Sequence, residues 1–187
     1  MHPYLAIARD AILERLTHKN LIDHETLLKN HPELASPGAT FVTLTRQGQL
    51  RGCIGSLIAH RPLLDDLINN ARAAAFEDPR FAPLDLSEWP QIEIEVSLLN
   101  QPQPLSYESI EDLKTTIRPG VDGVILHYRG HQATFLPQVW DELPDFDHFF
   151  GHLCQKAGLP ANCLLFHPDL YTYQVTKITN NTHHKDR

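Results

Sequence analysis

The chain is poor in cysteine, in positive charge and in long apolar runs, and each shortage removes a class of protein. Three cysteines in 187 residues is an odd number, and no two have disulfide-framework or zinc-ribbon spacing. Lys and Arg number 16 against 23 Asp and Glu, a formal net charge of −7. With no Lys/Arg-rich run, a protein that wraps nucleic acid by bulk electrostatics is not expected. No apolar run approaches the ~20 residues of a membrane span. The opening MHPYLAIARD has neither a basic n-region nor an apolar h-region, so no secretory signal is expected. The expectation is a soluble, reduced, cytoplasmic protein. GxSxG, P-loop and GxGxxG signatures are also missing, which removes the common hydrolase, NTPase and dinucleotide sites. No cofactor is expected.

What is present is 42% hydrophobic sequence, enough for a sizeable core in one domain over 1–180, with 181–187 as a polar tail. Leu5, Ala8, Ala11, Ile12 and Leu16 share a helical face over 3–18, with Pro3 suited to the first turn. FVTLT (41–45) and QLRGCI (49–54) form a hairpin about Gln47-Gly48. Pro62 opens a helix whose Leu63, Leu64, Leu67, Ile68, Ala71, Ala74 and Ala75 make an apolar stripe. In QIEIEVSLL (91–99), Ile92, Ile94, Val96 and Leu98 alternate with Glu93, Glu95 and Ser97, as a strand requires.

After QPQP the order restarts. SYESIEDLKTTI (106–117) is a predicted helix with Ser106 as N-cap. GVILHY (123–128) and HQATFL (131–136) make a second hairpin, and 145–158 is a helix closing on Gly158. CLLF (163–166) and LYTYQVTKI (170–178) complete the strands. The order helix, hairpin, helix, strand thus occurs twice, over about 3–99 and 106–178. This predicts an α+β fold, a duplicated unit whose six strands share one largely antiparallel sheet.

The stretch QLRGCIGSL concentrates the candidate chemistry. In a regular strand Arg51, Cys53 and Gly55 share one face, and Leu50, Gly52 and Ile54 face the core. A guanidinium beside a thiol favours thiolate and makes it a better nucleophile. Gly52 and Gly55 leave room for a ligand or another backbone; the bland alternative is a small buried cysteine in a bulged strand. Glu93 and Glu95 on one strand face are either an acid/base pair or the wetted side of an amphipathic strand. If the sheet closes, a carboxylate there needs a partner: Arg51, Arg72, or Arg80 of DPRF, where Asp78-Pro79 starts a turn. His148 and His152 are spaced i, i+4, but Cys154 lies about 200° round from His152. Without HExxH or a second Cys/His pair, no metal site is expected. Trp140, beside an acidic turn, reads as core packing before interface anchor.

LRGCIGSL, AFEDPRFAPL with IEIEVSLL, GVDGVIL and FLPQVWDELPD occur in the order that resembles the AMMECR family, whose bacterial branch is termed AmmeMemoRadiSam system protein A. The resemblance covers roughly 5–180. It implies duplicated β3α2 units, open or closed into a barrel, and association with a Memo-like protein and a radical SAM enzyme. The chain has no CxxxCxxC, so any radical SAM chemistry belongs to that partner. The family brings no assigned reaction.

Two functions compete. One is a small-molecule enzyme or substrate-presenting protein, with Cys53 as nucleophile or thiol donor, Arg51 as anion clamp or thiolate stabiliser, Glu95 as base, and Gly52, Gly55, Glu93 and Arg80 lining the site. The other is a non-catalytic adaptor for the same partners. A nucleic-acid binder is least favoured by the acidic charge.

Overall fold

In a computed structural model that describes residues 1–180, α1 (Pro3–Thr17) begins with proline in its first turn. The chain divides into two compact units, Met1–Leu99 with the chain from Thr176, and Asn100–Val175.

The first unit adds α2 (His24–Asn30), β1 (Ala39–Arg46), β2 (Gln49–Gly55), α3 (Leu63–Phe76), β3 (Ile92–Leu99) and, near the end of the chain, β8 (Val175–Ile178). Its sheet runs β2-β1-β3-β8. The apolar positions of β1 and β3 pair directly, Val42 with Val96 and Leu44 with Ile94. They bury against α1 (Ala8, Ala11, Ile12) and α3 (Leu67, Ala71, Ala74). Full burial of a Leu or Val contributes about 1.5–3 kcal/mol, so this pairing fixes which sheet face meets the helices. The hairpin turns at Gln47 and Gly48, both with positive φ, as a two-residue turn between twisted strands requires.

The second unit holds β4 (Gln103–Pro104), α4 (Ile110–Thr116), β5 (Gly123–Tyr128), β6 (His131–Phe135), α5 (Val139–Glu142), α6 (Phe146–Lys156) and β7 (Asp169–Tyr173). Its order is β4-β7-β5-β6, with Leu113, Val124, Leu126, Phe149, Phe150 and Leu153 in the core. Trp140 is part of that core. Its indole N–H donates to the Asp122 carbonyl at 2.9 Å, and its ring stacks on Phe149.

The architecture is α+β with antiparallel pairing, but the strands are distributed over two four-stranded sheets, neither closed, in place of one six-stranded sheet or barrel. The expected terminal strand 170–178 breaks at Gln174. There the Asn100 side chain accepts the Gln174 N–H at 2.6 Å and returns a bond to its side-chain oxygen. Two further expectations fail locally. The helix expected from Ser106 starts at Ile110, because Ser109 caps it by accepting the Asp112 N–H. CLLF is a 3₁₀ turn rather than a strand, and its Cys163 is disulfide-bonded to Cys154 across a Cα separation of 5.8 Å. The expectation of three reduced cysteines is corrected accordingly; spacing in sequence carries no information about α6 folding back onto that turn. The expected polar tail, 181–187, lies outside the described residues.

Candidate functional site

Register places the first candidate residues. Thr43 on β1 stands opposite Cys53 on β2 and opposite Glu95 on β3, so the three side chains form one row across the sheet. The Thr43 hydroxyl lies 3.2 Å from the Cys53 sulfur, within hydrogen-bonding distance for sulfur. One step along, Thr45 faces Glu93. Alternation puts these groups on the face opposite the helices. Thr43, Thr45, Glu93 and Glu95 line a pocket of about 180 Å³ there. The structure therefore brings together a thiol, two hydroxyls and two carboxylates.

Arg51 is in a different place from the one regular alternation predicts. Leu44 pairs with Gly52 but Thr45 pairs with Leu50, which leaves Arg51 as the extra residue of a β-bulge. The bulge turns Leu50 out of the core, to 44% exposure. The Arg51 guanidinium turns to Glu88, with contacts at 2.9 and 3.1 Å, and donates to the Ala82 carbonyl at 2.8 Å. Those bonds hold the Glu88 carboxyl below its ordinary range. The expected pairing of Arg51 with the thiol is corrected: its charge is engaged by Glu88.

The cation beside Cys53 is Arg80. β2 ends the sheet, and Cys53 turns its N–H and carbonyl outward, away from Thr43, toward Asp78 and Arg80, as in a non-hydrogen-bonded antiparallel pair. Asp78, 4% exposed, accepts that N–H at 3.0 Å. Arg80 holds Asp78 in a two-point ion pair at 3.0 and 2.8 Å and extends toward the Cys53 carbonyl at 3.5 Å. The Asp78 carboxyl is pulled well below the ordinary carboxylate range, first by the Arg80 guanidinium and then by the Cys53 and Arg80 backbone N–H groups. DPRF is thus more than a turn; it grips the Cys53 peptide.

Both glycines of the motif sit under close neighbours. A Cβ on Gly52 would lie 2.0 Å from the Ala74 carbonyl oxygen of α3, and one on Gly55 would lie 2.1 Å from the Phe41 ring.

Comparison with known proteins agrees with the family resemblance. The AMMECR1 family matches residues 5–178. The chain belongs to the AMMECR1 family. AMMECR1-family relatives include a Methanothermobacter thermautotrophicus protein, 44% identical over 135 residues, 72% of this chain and 70% of that one. A Thermococcus gammatolerans protein is 37% identical over 180 residues, 91% and 84% of the two chains. The crystal structure of an uncharacterized protein from Pyrococcus horikoshii superposes with a TM-score of 0.78 at 34% identity, over 93% of this chain and 88% of that one.

Other candidates in this AMMECR1-family chain have partners of their own. Arg72 binds Glu14 at 2.7 Å, so neither it, Arg51 nor Arg80 closes a salt bridge on Glu93 or Glu95 among the described residues. His148 and His152 are exposed on α6, His148 beside Asp145, and Cys154 is held in the disulfide. Sequence reasoning missed Thr43, Thr45 and Glu88. The threonines were legible: FVTLT alternates hydroxyl with apolar side chain, the pattern used for IEIEV. Glu88 had no such signal, since it lies in an irregular segment.

Proposed function

We propose that this AMMECR1-family chain is a small-molecule enzyme or substrate-presenting component that works with a Memo-like protein and a radical SAM enzyme. Its site is the open face of the first sheet at RGCIG. The observation that carries the reading is the row Cys53–Thr43–Glu95, with the Thr43 hydroxyl 3.2 Å from sulfur. Cys53 acts as nucleophile or thiol donor. A proton leaving its sulfur meets the Thr43 hydroxyl, with the Glu95 carboxylate next in register as base. The substrate occupies the pocket lined by Thr43, Thr45, Glu93 and Glu95. Gly52 and Gly55 keep β2 slim, Arg80 fixes the Cys53 peptide through Asp78, and Arg51 acts as a positioning residue through Glu88.

The test reconstitutes the three components and measures turnover and partner binding together. Cys53→Ser is expected to lower turnover by about 100-fold or more with binding unchanged, and Glu95→Gln by about 10-fold or more. Unchanged turnover in Cys53→Ser overturns the reading. Loss of partner binding in the same variant replaces it with the adaptor.

A further inference from the structure

We propose that the Cys154–Cys163 pair is a redox latch that holds the segment 159–166 closed on α6. This goes beyond the thiol chemistry of the first unit and does not depend on it.

Apart from the disulfide, side-chain packing ties the segment to the rest of its unit, and its backbone does not. Among the described residues, its backbone hydrogen bonds reach only itself and its flanks: Leu159 N–H to Cys154, Cys163 N–H to Pro160, Leu165 N–H to Asn162, and the following His167 N–H to Leu164. It is irregular at both ends, with Gly158 at φ +81° and His167 at φ +52°. No strand pairing ties it to the sheet. Its inward anchors are Cys163 and Leu164, both buried, with Leu159 packed at the edge of the core and Phe166 stacked on Tyr128, while Leu165 is 68% exposed. The disulfide is the only covalent tie, and it spans nine residues of sequence. A short cross-linked loop opens less readily than the same loop with free ends.

Both sulfurs are fully buried, so an exchange partner reaches them only when the segment opens. In the closing direction, each thiol gives up a proton and one S–S bond forms between Cys154 and Cys163. The two electrons pass to the S–S bond of glutathione disulfide, which leaves as two glutathione thiols. In the opening direction a dithiol reductant reverses these steps. Redox state and opening are therefore coupled: the oxidised pair disfavours the open segment, and the open segment is the form that exchanges.

The experiment uses the full chain, equilibrated either with glutathione disulfide or with dithiothreitol. Non-reducing peptide mapping of the oxidised sample is expected to show a Cys154–Cys163 linked peptide, with Cys53 alone labelled by iodoacetamide. Limited chymotrypsin digestion, quenched and fully reduced before mass analysis, is expected to cut at Leu164, Leu165 and Phe166 about tenfold faster in the reduced sample. Re-oxidation should restore the slow rate. Cys163→Ala should cut fast whichever reagent is present. If that variant fails to fold, hydrogen exchange on the reduced wild-type chain reads the same opening, with protection lost over 158–167 and kept in α1 and α3. Absence of the linked peptide overturns the proposal. So do equal cleavage rates in the two samples, or a rise in exchange spread evenly over the chain.

Discussion

Position 52 has space for a hydrogen and nothing larger. The Ala74 carbonyl of α3 would lie 2.0 Å from a methyl group there, and neither the helix backbone nor the bulged strand yields easily. Gly52→Ala is expected to lower stability by about 2–3 kcal/mol, measured as a shift in the urea midpoint. Asp78 allows a test with a pH signature. Its folded carboxyl lies below the unfolded value of about 3.9, held there by Arg80 and two backbone N–H groups. Its contribution is therefore full above about pH 4 and is lost as pH falls from there through the folded value. Asp78→Asn, which keeps the shape but not the charge, should be about 2 kcal/mol less stable near neutrality, and the gap to wild type should shrink toward about pH 2.5. A gap independent of pH would mean that the bond to Cys53, not the charge, matters. Residue identities around Cys53 were legible as types, but not the partner of each charge. Strict alternation pairs Arg51 with the thiol, and a bulge breaks alternation without leaving a mark in the sequence.

At the scale of elements, long periodic segments were legible and short or irregular ones were not. The α1, α3 and β3 stripes are visible because burial of one face imposes a period. Helix α2 has no buried residue, so no apolar stripe announces it. The polar side of α3 was also missed. Asp66, fully buried, accepts hydrogen bonds from the Thr40 N–H and hydroxyl, Ser56, Arg61 and Asn70. This cluster pins the start of β1 and the exit of β2 to one turn of α3, and so sets the register of the hairpin that carries Cys53. Asp66→Ala leaves those donors without their acceptor and is expected to cost about 3 kcal/mol. The iodoacetamide rate at Cys53 should change in the same variant, since the hairpin loses its anchor. An unaltered rate would show that the register is held by the apolar pairs alone.

For the molecule as a whole, the stability profile should have an alkaline edge. Burial pushes the Tyr107 and Tyr173 phenols up to about 12, while unfolded tyrosine ionises near 10. A raised folded value stabilises below the unfolded one and is lost as pH climbs between the two, so stability should fall from about pH 10 upward. Phenolate absorbance should show three of the five tyrosines titrating late, Tyr4 with Tyr107 and Tyr173, and Tyr173→Phe should remove one of them. RNA titrated at low salt is expected not to bind, given the net charge of −7. The grip of Asp78 and Arg80 on Cys53 also bears on how the chain behaves among its own copies. An edge strand with outward peptide groups is a template on which another chain can add a strand. On β2 the carboxylate of Asp78 occupies the outward N–H of Cys53, and the Arg80 guanidinium reaches toward the outward carbonyl. Two side chains thereby stand in for a neighbouring strand, so the segment that carries Cys53 is protected against self-assembly into stacked sheets.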